Sequence, residues 1–344
     1  MALTIVADDL AGACDAGTLF ARKAPVPVTL WPDVSAGEVA VVDTESRPLP
    51  RDEATERIRG TVSRRRETTS WFKKIDSTLR GHVGAEIAAL LEATDAPGAV
   101  ACPAFPSQGR VVLDRVLRVA GTEVADVVDR IRSEVDGPLP WIPLAEVREG
   151  VSALAARLAR CAGTIAIADA ETDDDLDTIV GAALALERPP LLAGSAGLAR
   201  PLARRLGLHG ERVCLPGGRW LVVAGSRNPA TRRQLAEARR AGLRVLATAD
   251  AEDDASASAT LAREAARLLA TESFDLVALT GGDTAAALYR ALGAVRVDLV
   301  GAPRSGLSYG HLRAPGQPAL PVLTKAGGFG PPDLFVSLRK EATG

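Results

Sequence analysis

Aromatic residues make up only 3% of this chain of 344 residues, and just three histidines and four cysteines are spread along it. Each shortage removes a class of function. So few aromatic rings leave no stacking platform for single-stranded bases. Cys14, Cys102, Cys161 and Cys214 stand far apart, with no C-x-x-C and no histidine at ligand spacing. That argues against a disulfide framework, a zinc site and histidine-rich metal chemistry, and suits small core residues in a reducing cytoplasm, where the chain is expected to reside. A dominant charge is also missing. With 41 Lys and Arg against 43 Asp and Glu the net charge is -2, so no global basic field draws the chain to nucleic acid or to an anionic membrane. The apolar runs are short and broken by charge or glycine, and no basic segment with a long apolar core opens the chain; neither a signal peptide nor a membrane span is expected. Small molecules are the expected partners, and a second copy of the chain, in a homo-oligomer, is the one macromolecular partner left open.

What the chain does have is alternation. Short β-branched runs (LTIVA, VPVTLW, VAVVDT, WFKKID, AVACPA, TIAIADA and LLAGS) alternate with Ala/Leu/Arg segments of helical period. This is the pattern of α/β domains built on mostly parallel sheets flanked by helices. The length suggests two domains at roughly 150 residues each. Pro216, Gly217 and Gly218 break the periodicity in "GLHGERVCLPGGRW", so the boundary is predicted there, giving a first domain over 1–212 and a second over 218–344. The run Arg64-Arg65-Arg66 reads as a solvated helix face.

In the second half, three strands each run into a small-residue turn that opens a helix: "VVAGSRNPATRRQ", "VALTGGDTAAALYRALG" and "VLTKAGGFGPPDLF". Asn228 is a candidate cap with Pro229 at the first helical position. Bare glycine amides at a helix N-terminus bind anions, and ligands of open α/β sheets lie outside the carboxyl ends of the strands. Three such turns point to a polyphosphate held by Ser226, Gly281, Gly282, Asp283, Thr284, Lys325, Gly327 and Gly328. There is no P-loop sequence and no G-x-G-x-x-G opening a helix after the first strand.

The first half carries charge instead. Asp8 and Asp9 end an apolar strand, a costly position for two carboxylates unless cations, protons or donors meet them. "FKKIDSTLRGHVGAEI" gathers Lys73, Lys74, Asp76, Ser77, Thr78 and Arg80 where a strand gives way to a helix. Lys74, Asp76, Ser77 and Arg80, with Ser107 and Gln108 of "CPAFPSQGR", suit a small hydroxylated anion: the guanidinium for a carboxylate, the others for hydroxyls. A serine hydrolase is the rival enzyme. "AGSAG" around Ser195 is one residue away from G-x-S-x-G, and "GLSYG" at Gly306 to Gly310 matches it but has no convincing strand before it.

Taken in order, "IVADDLAGACDAG", "FKKIDSTLRGHVGAEI", "PAFPSQGR", "GSAGLA", "AGSRNPATRRQ", "TGGDTAAALYRALG" and "TKAGGFG" resemble the successive motifs of the four-carbon acid sugar kinase family over nearly the whole chain. The resemblance implies ATP-dependent phosphorylation of the terminal hydroxyl of threonate, erythronate or oxo-tetronate. It also implies an N-terminal domain for the acid, a C-terminal domain for the nucleotide, and an active site in the interdomain cleft. In such a phosphoryl transfer the acceptor hydroxyl needs a base and the phosphates need Mg²⁺. Asp8 and Asp9 are the expected catalytic carboxylates, with Asp9 assigned as base or hydroxyl orienter and Asp8 as substrate or metal-water ligand, and the reverse assignment left open. An N-cap with a solvated neighbour is the bland alternative for this pair, and a sugar-acid sensor that keeps the fold is the non-catalytic alternative. Two departures from the family pattern stand out: Ala11 replaces the usual Thr, and the stretch Gly121 to Gly150 is shorter than in many relatives and is expected to affect substrate choice.

Overall fold

A computed structural model describes residues 2–210, 212–225, 228–248, 255–325 and 328–343, with the side chains at 255 and 256 excepted. The chain divides into two compact units, Met1–Asp8 with Val34–His209, and Asp9–Asp33 with Gly210–Gly344. Residues 9–33, which a single boundary near 212–218 would leave with the first half, thus belong to the second unit. The division falls on the peptide bond between Asp8 and Asp9.

The first unit is built on a parallel sheet in the order Val39–Asp43, Leu3–Ala7, Ser70–Lys74, Leu191–Gly194, Ala99–Cys102, Ile165–Ala168 and Trp141–Ile142. Leu3–Ala7 and Val39–Asp43 are buried along their whole length, which is why they read as continuous apolar runs without alternation. The amphipathic helix Arg51–Arg64 turns Ala54, Ile58 and Thr61 inward and packs on Val83–Ala93. One residue of the arginine run departs from the solvated reading: Arg65 is 1% exposed. Its guanidinium donates to Thr4 Oγ1 at 3.1 Å and Ser35 O at 2.7 Å and pairs with Glu67, so it ties the end of the helix to the sheet.

A separate antiparallel sheet, Arg110–Leu113, Val116–Val119 and Thr122–Asp126, follows the fifth of these strands in the chain. Its first turn carries positive φ at two non-glycine residues, Asp114 (52°) and Arg115 (70°). The buried carboxylate of Asp169 accepts from both of their amides, at 2.9 and 3.1 Å, and so offsets that strain.

The second unit's sheet runs Arg244–Ala247, Trp220–Ala224, Leu276–Thr280, Leu320–Lys325, Leu307–Arg313, Arg296–Gly301 and Val26–Leu30. The first four are parallel and the last pairings antiparallel. Trp220, Val222, Leu276, Leu323, Leu334 and Phe335 belong to its core. The segment Leu307–Arg313, which contains most of "GLSYG", is itself a strand. No helix among the described residues is long and apolar enough to cross a membrane.

Candidate active site

Parallel register brings the carboxyl ends of the first unit's strands level. Ala7 lies opposite both Asp43 and Lys74, and Lys74 lies opposite Gly194. The residues that follow these ends form a chain of alternating charge. Arg47 donates Nε to Asp8 Oδ2 at 2.8 Å and Nη2 to Asp8 Oδ1 at 3.0 Å. The same Nη2 is 3.7 Å from Asp76 Oδ1, and Arg80 forks onto Asp76 with Nε to Oδ2 at 2.9 Å and Nη2 to Oδ1 at 2.8 Å. Burial pushes the Asp8 carboxyl up, but the Arg47 guanidinium and the ammonium groups of Lys73 and Lys74 outweigh it and hold the group below its ordinary range. Asp76 is likewise buried, and its bonds to Arg80, the charge of Arg47 and the Thr78 hydroxyl hold it well below that range. Both groups are therefore carboxylates at neutral pH.

A second ion pair is wholly buried. Lys73 Nζ sits 2.7 Å from Glu86 Oε2 and also donates to Lys74 O at 3.0 Å, while Ser46 Oγ donates to Glu86 Oε1 at 2.5 Å. The Lys74 ammonium, 5% exposed as a residue, donates to Ile75 O at 2.9 Å.

Arg47 is a member of this cluster that none of the motifs singled out. It lies in "DTESRP", directly after the strand Val39–Asp43, and a polar cluster at a strand's carboxyl end was the signal that could have found it. Arg80, expected to grip a substrate carboxylate with two prongs, has those prongs on Asp76. Ser77 is half-buried beside Asp76. Ser107 is exposed and Gln108 half-buried in the turn Pro106–Gln108, beyond the strand Ala99–Cys102. Ser195 is a helix cap: its Oγ donates to Ala104 O at 2.6 Å and accepts from Gly197 N at 2.9 Å. Ser308 of "GLSYG" is 2% exposed within a strand. Neither serine stands as a hydrolase nucleophile.

The second unit is built differently. Asp9 caps the helix Leu10–Gly17, its Oδ1 accepting from Gly12 N at 3.0 Å. Its other oxygen lies against the turn that opens Gly282–Ala291: a Cβ added to Gly282 would fall 2.8 Å from Asp9 Oδ2 and 3.3 Å from Ala11 N. Position 282 must therefore be bare for Asp9 to lie there. Gly281 precedes it with φ at 101°, Asp283 is exposed in the first turn, and Thr284 is buried. Thr280 and Lys325 are register partners on adjacent parallel strands. The Thr280 hydroxyl is buried with no hydrogen-bond partner among the described residues, and Lys325 Nζ donates to Phe329 O at 3.2 Å. Burial pushes the Lys325 ammonium down to about 7. Asn228 caps its helix as expected, accepting from Ala230 N at 2.9 Å, with Pro229 first in the helix. Gly328 is exposed; Ser226 and Gly327 lie outside the described residues. A bare glycine turn at a helix N-terminus, an orphaned buried hydroxyl and a buried lysine fit a phosphate group. Among the described residues no set of three His, Cys, Asp or Glu could hold a metal ion.

Residues 3–202 match the family model described as "Sugar-binding N-terminal domain", and residues 245–335 match "Nucleotide-binding C-terminal domain". The chain is 33% identical to a D-threonate kinase of Bordetella bronchiseptica, covering 96% of this chain and 95% of that protein. It is 30% identical to a 3-oxo-tetronate kinase of Cupriavidus necator, covering 97% and 95%. A solved Salmonella typhimurium structure, described as a putative tRNA synthase, superposes with a TM-score of 0.81 over 98% of this chain and 99% of that one; at 20% identity this likeness shows the fold alone. The chain belongs to the four-carbon acid sugar kinases, and is an enzyme of that class.

Proposed function

We propose that the protein transfers the terminal phosphoryl group of ATP to the 4-hydroxyl of a four-carbon sugar acid such as threonate, erythronate or 3-oxo-tetronate. The observation that carries this reading is the pair Asp8-Asp9. Asp8 belongs to a polar cluster at the strands' carboxyl ends, rich in cations and suited to a hydroxylated acid, and Asp9 lies against a bare helix N-terminus suited to phosphate. In this reading Arg47, Lys74 and Arg80 face the acid's carboxylate, and Asp76, Ser77, Ser107 and Gln108 its hydroxyls. The backbone at Gly281, Gly282 and Gly328 and the side chains of Asp283, Thr284 and Lys325 receive the nucleotide. Asp9 Oδ2 accepts the proton of the attacking hydroxyl as the new P–O bond forms and the bond to ADP breaks. Mg²⁺ usually binds through phosphate oxygens, waters and one or two carboxylates, so the absence of a three-ligand cluster among the described residues is compatible with it. When bound, it neutralises charge on the phosphates.

A coupled assay of ADP release with ATP, Mg²⁺ and D-threonate, D-erythronate or 3-oxo-tetronate tests the reading. Acid-dependent ADP release is the expected result. A folded protein that binds an acid or a nucleotide but releases no ADP with any of the three would favour the sensor instead.

A further inference from the structure

The helix Val127–Arg132 lies in the Gly121 to Gly150 stretch and outside every motif quoted above. It nevertheless grips one of them. Arg130 donates Nε to Leu79 O at 3.3 Å and Nη2 to Gly81 O, two carbonyls of the loop that carries Asp76 and Arg80. Its third nitrogen, Nη1, reaches Glu134 Oε1 at 2.6 Å. Glu134, 9% exposed, turns its other oxygen to Gly84 N at 2.7 Å and Ala85 N at 3.2 Å, first-turn amides of the helix Val83–Ala93. A carboxylate there is favoured by the positive end of the helix dipole. The approach is close, since a Cβ on Gly84 would fall 2.7 Å from Ile131 O.

The loop has reason to need an outside hold. Leu79 adopts φ 64° and Gly81 φ 81°. A left-handed leucine is strained, because its Cβ crowds the following carbonyl oxygen. From inside, Asp76 Oδ2 accepts from Thr78 N at 3.2 Å, Thr78 Oγ1 at 2.5 Å and Arg80 N at 3.3 Å. From outside, Arg130 takes the carbonyls on either side of Arg80. His82 Nε2 lies 2.7 Å from Leu49 O, which ties the same loop to the segment that carries Arg47.

We propose that Arg130 and Glu134 are positioning residues for the acid: they fix the loop Asp76–His82 in the shape that aims Arg80 and Asp76 at the substrate. This rests on the proposed function, because it assigns the acid to that loop. It also gives a physical route by which the Gly121 to Gly150 stretch affects substrate choice without touching substrate.

The test is steady-state kinetics on Arg130→Met, which keeps the apolar stem and removes the donors, and on Arg130→Lys and Glu134→Gln. The acid is whichever of D-threonate, D-erythronate and 3-oxo-tetronate the wild-type enzyme turns over fastest. Arg130→Met is expected to raise KM for the acid about tenfold or more while KM for ATP stays within about twofold, since misplacing a binding group by an ångström is costly. Arg130→Lys, which can still reach a carbonyl and Glu134, recovers part of the loss, and Glu134→Gln gives a smaller rise of the same kind. An unchanged acid KM in a folded Arg130→Met enzyme overturns the proposal. So does a loss that falls equally on both Michaelis constants and follows the drop in melting temperature, because that is what a merely structural residue gives. Wild-type enzyme run alongside separates this from the parent reading: no turnover of any acid by wild type overturns both, and normal wild-type turnover with an indifferent Arg130→Met overturns this inference alone.

Discussion

Asp8 and Asp9 share a peptide bond, yet one is bound into the alternating series Asp8, Arg47, Asp76 and Arg80, and the other caps a helix beside a bare glycine turn. The proposed acid site of the first unit is made of side-chain charge, most of it already paired. The proposed phosphate site of the second unit relies on backbone, an orphaned hydroxyl and a buried lysine beside Asp9, Asp283 and Thr284. Sites of the first kind fail when a partner is removed, because a buried charge is left uncompensated. Sites of the second kind fail when something is added, or when the buried lysine changes state.

The largest effect is expected where the first unit's charge is most buried. Lys73→Met strands Glu86, and breaking a buried pair costs about 3–5 kcal/mol, so the melting temperature should fall steeply. A variant as stable as the parent would show that the pair contributes no net stability. Next, Asp9→Asn keeps the shape and can keep the cap through its amide oxygen, but removes the base. Turnover should drop by about 10²-fold or more with acid and nucleotide affinities nearly unchanged, read by kinetics beside calorimetry. Parent-rate turnover would reduce Asp9 to a helix cap, with the proton leaving by another route.

Arg47→Met should raise the acid's KM by about tenfold while sparing ATP, because Asp8 then lacks its bidentate partner. Arg80→Lys should give a smaller rise, since the Arg80 side chain is 65% exposed against 19% for Arg47. The reverse order would make Arg80 the principal carboxylate ligand.

The fourth prediction concerns pH. Folding lowers the Lys325 ammonium to about 7 through burial. The unfolded chain keeps that proton to higher pH, so this group's contribution to stability rises with pH above about 7 and is lost as pH falls through it. Phosphate favours the charged form. Nucleotide binding above pH 7 should therefore take up a proton, and affinity should weaken several-fold between pH 7 and 8.5. Calorimetry in buffers of different ionisation enthalpy checks the uptake. Lys325→Met should bind more weakly and without that pH dependence; an identical pH profile would remove Lys325 from the site.

The same contrast explains what could be read from the sequence. Strands such as LTIVA and VAVVDT were legible because both faces are buried and the apolar run is continuous. The charged end of WFKKID pointed to the loop Asp76–His82, to which the acid is assigned by proposal. The hairpin Arg110–Val119 was not legible: its turn uses Asp114 and Arg115 at positive φ, where the usual signal is glycine or asparagine, and the group that holds it, Asp169, follows a strand distant in sequence. Arg65 looked solvated for the same reason, since its partners at Thr4 and Ser35 are remote in sequence. Glycine turns could be seen, but the approach of Asp9 to Gly282 could not, because no local pattern records a contact between the chain's start and its last third.

The most direct test of the central claim is to follow the product atom by atom. Enzyme, ATP, Mg²⁺ and the best acid of the panel should give one ADP for each acid consumed, and phosphorus-proton coupling in the product's NMR spectrum should fall on the C4 protons. ADP formed without loss of acid, or phosphorus carried on any other oxygen, would contradict transfer to the terminal hydroxyl.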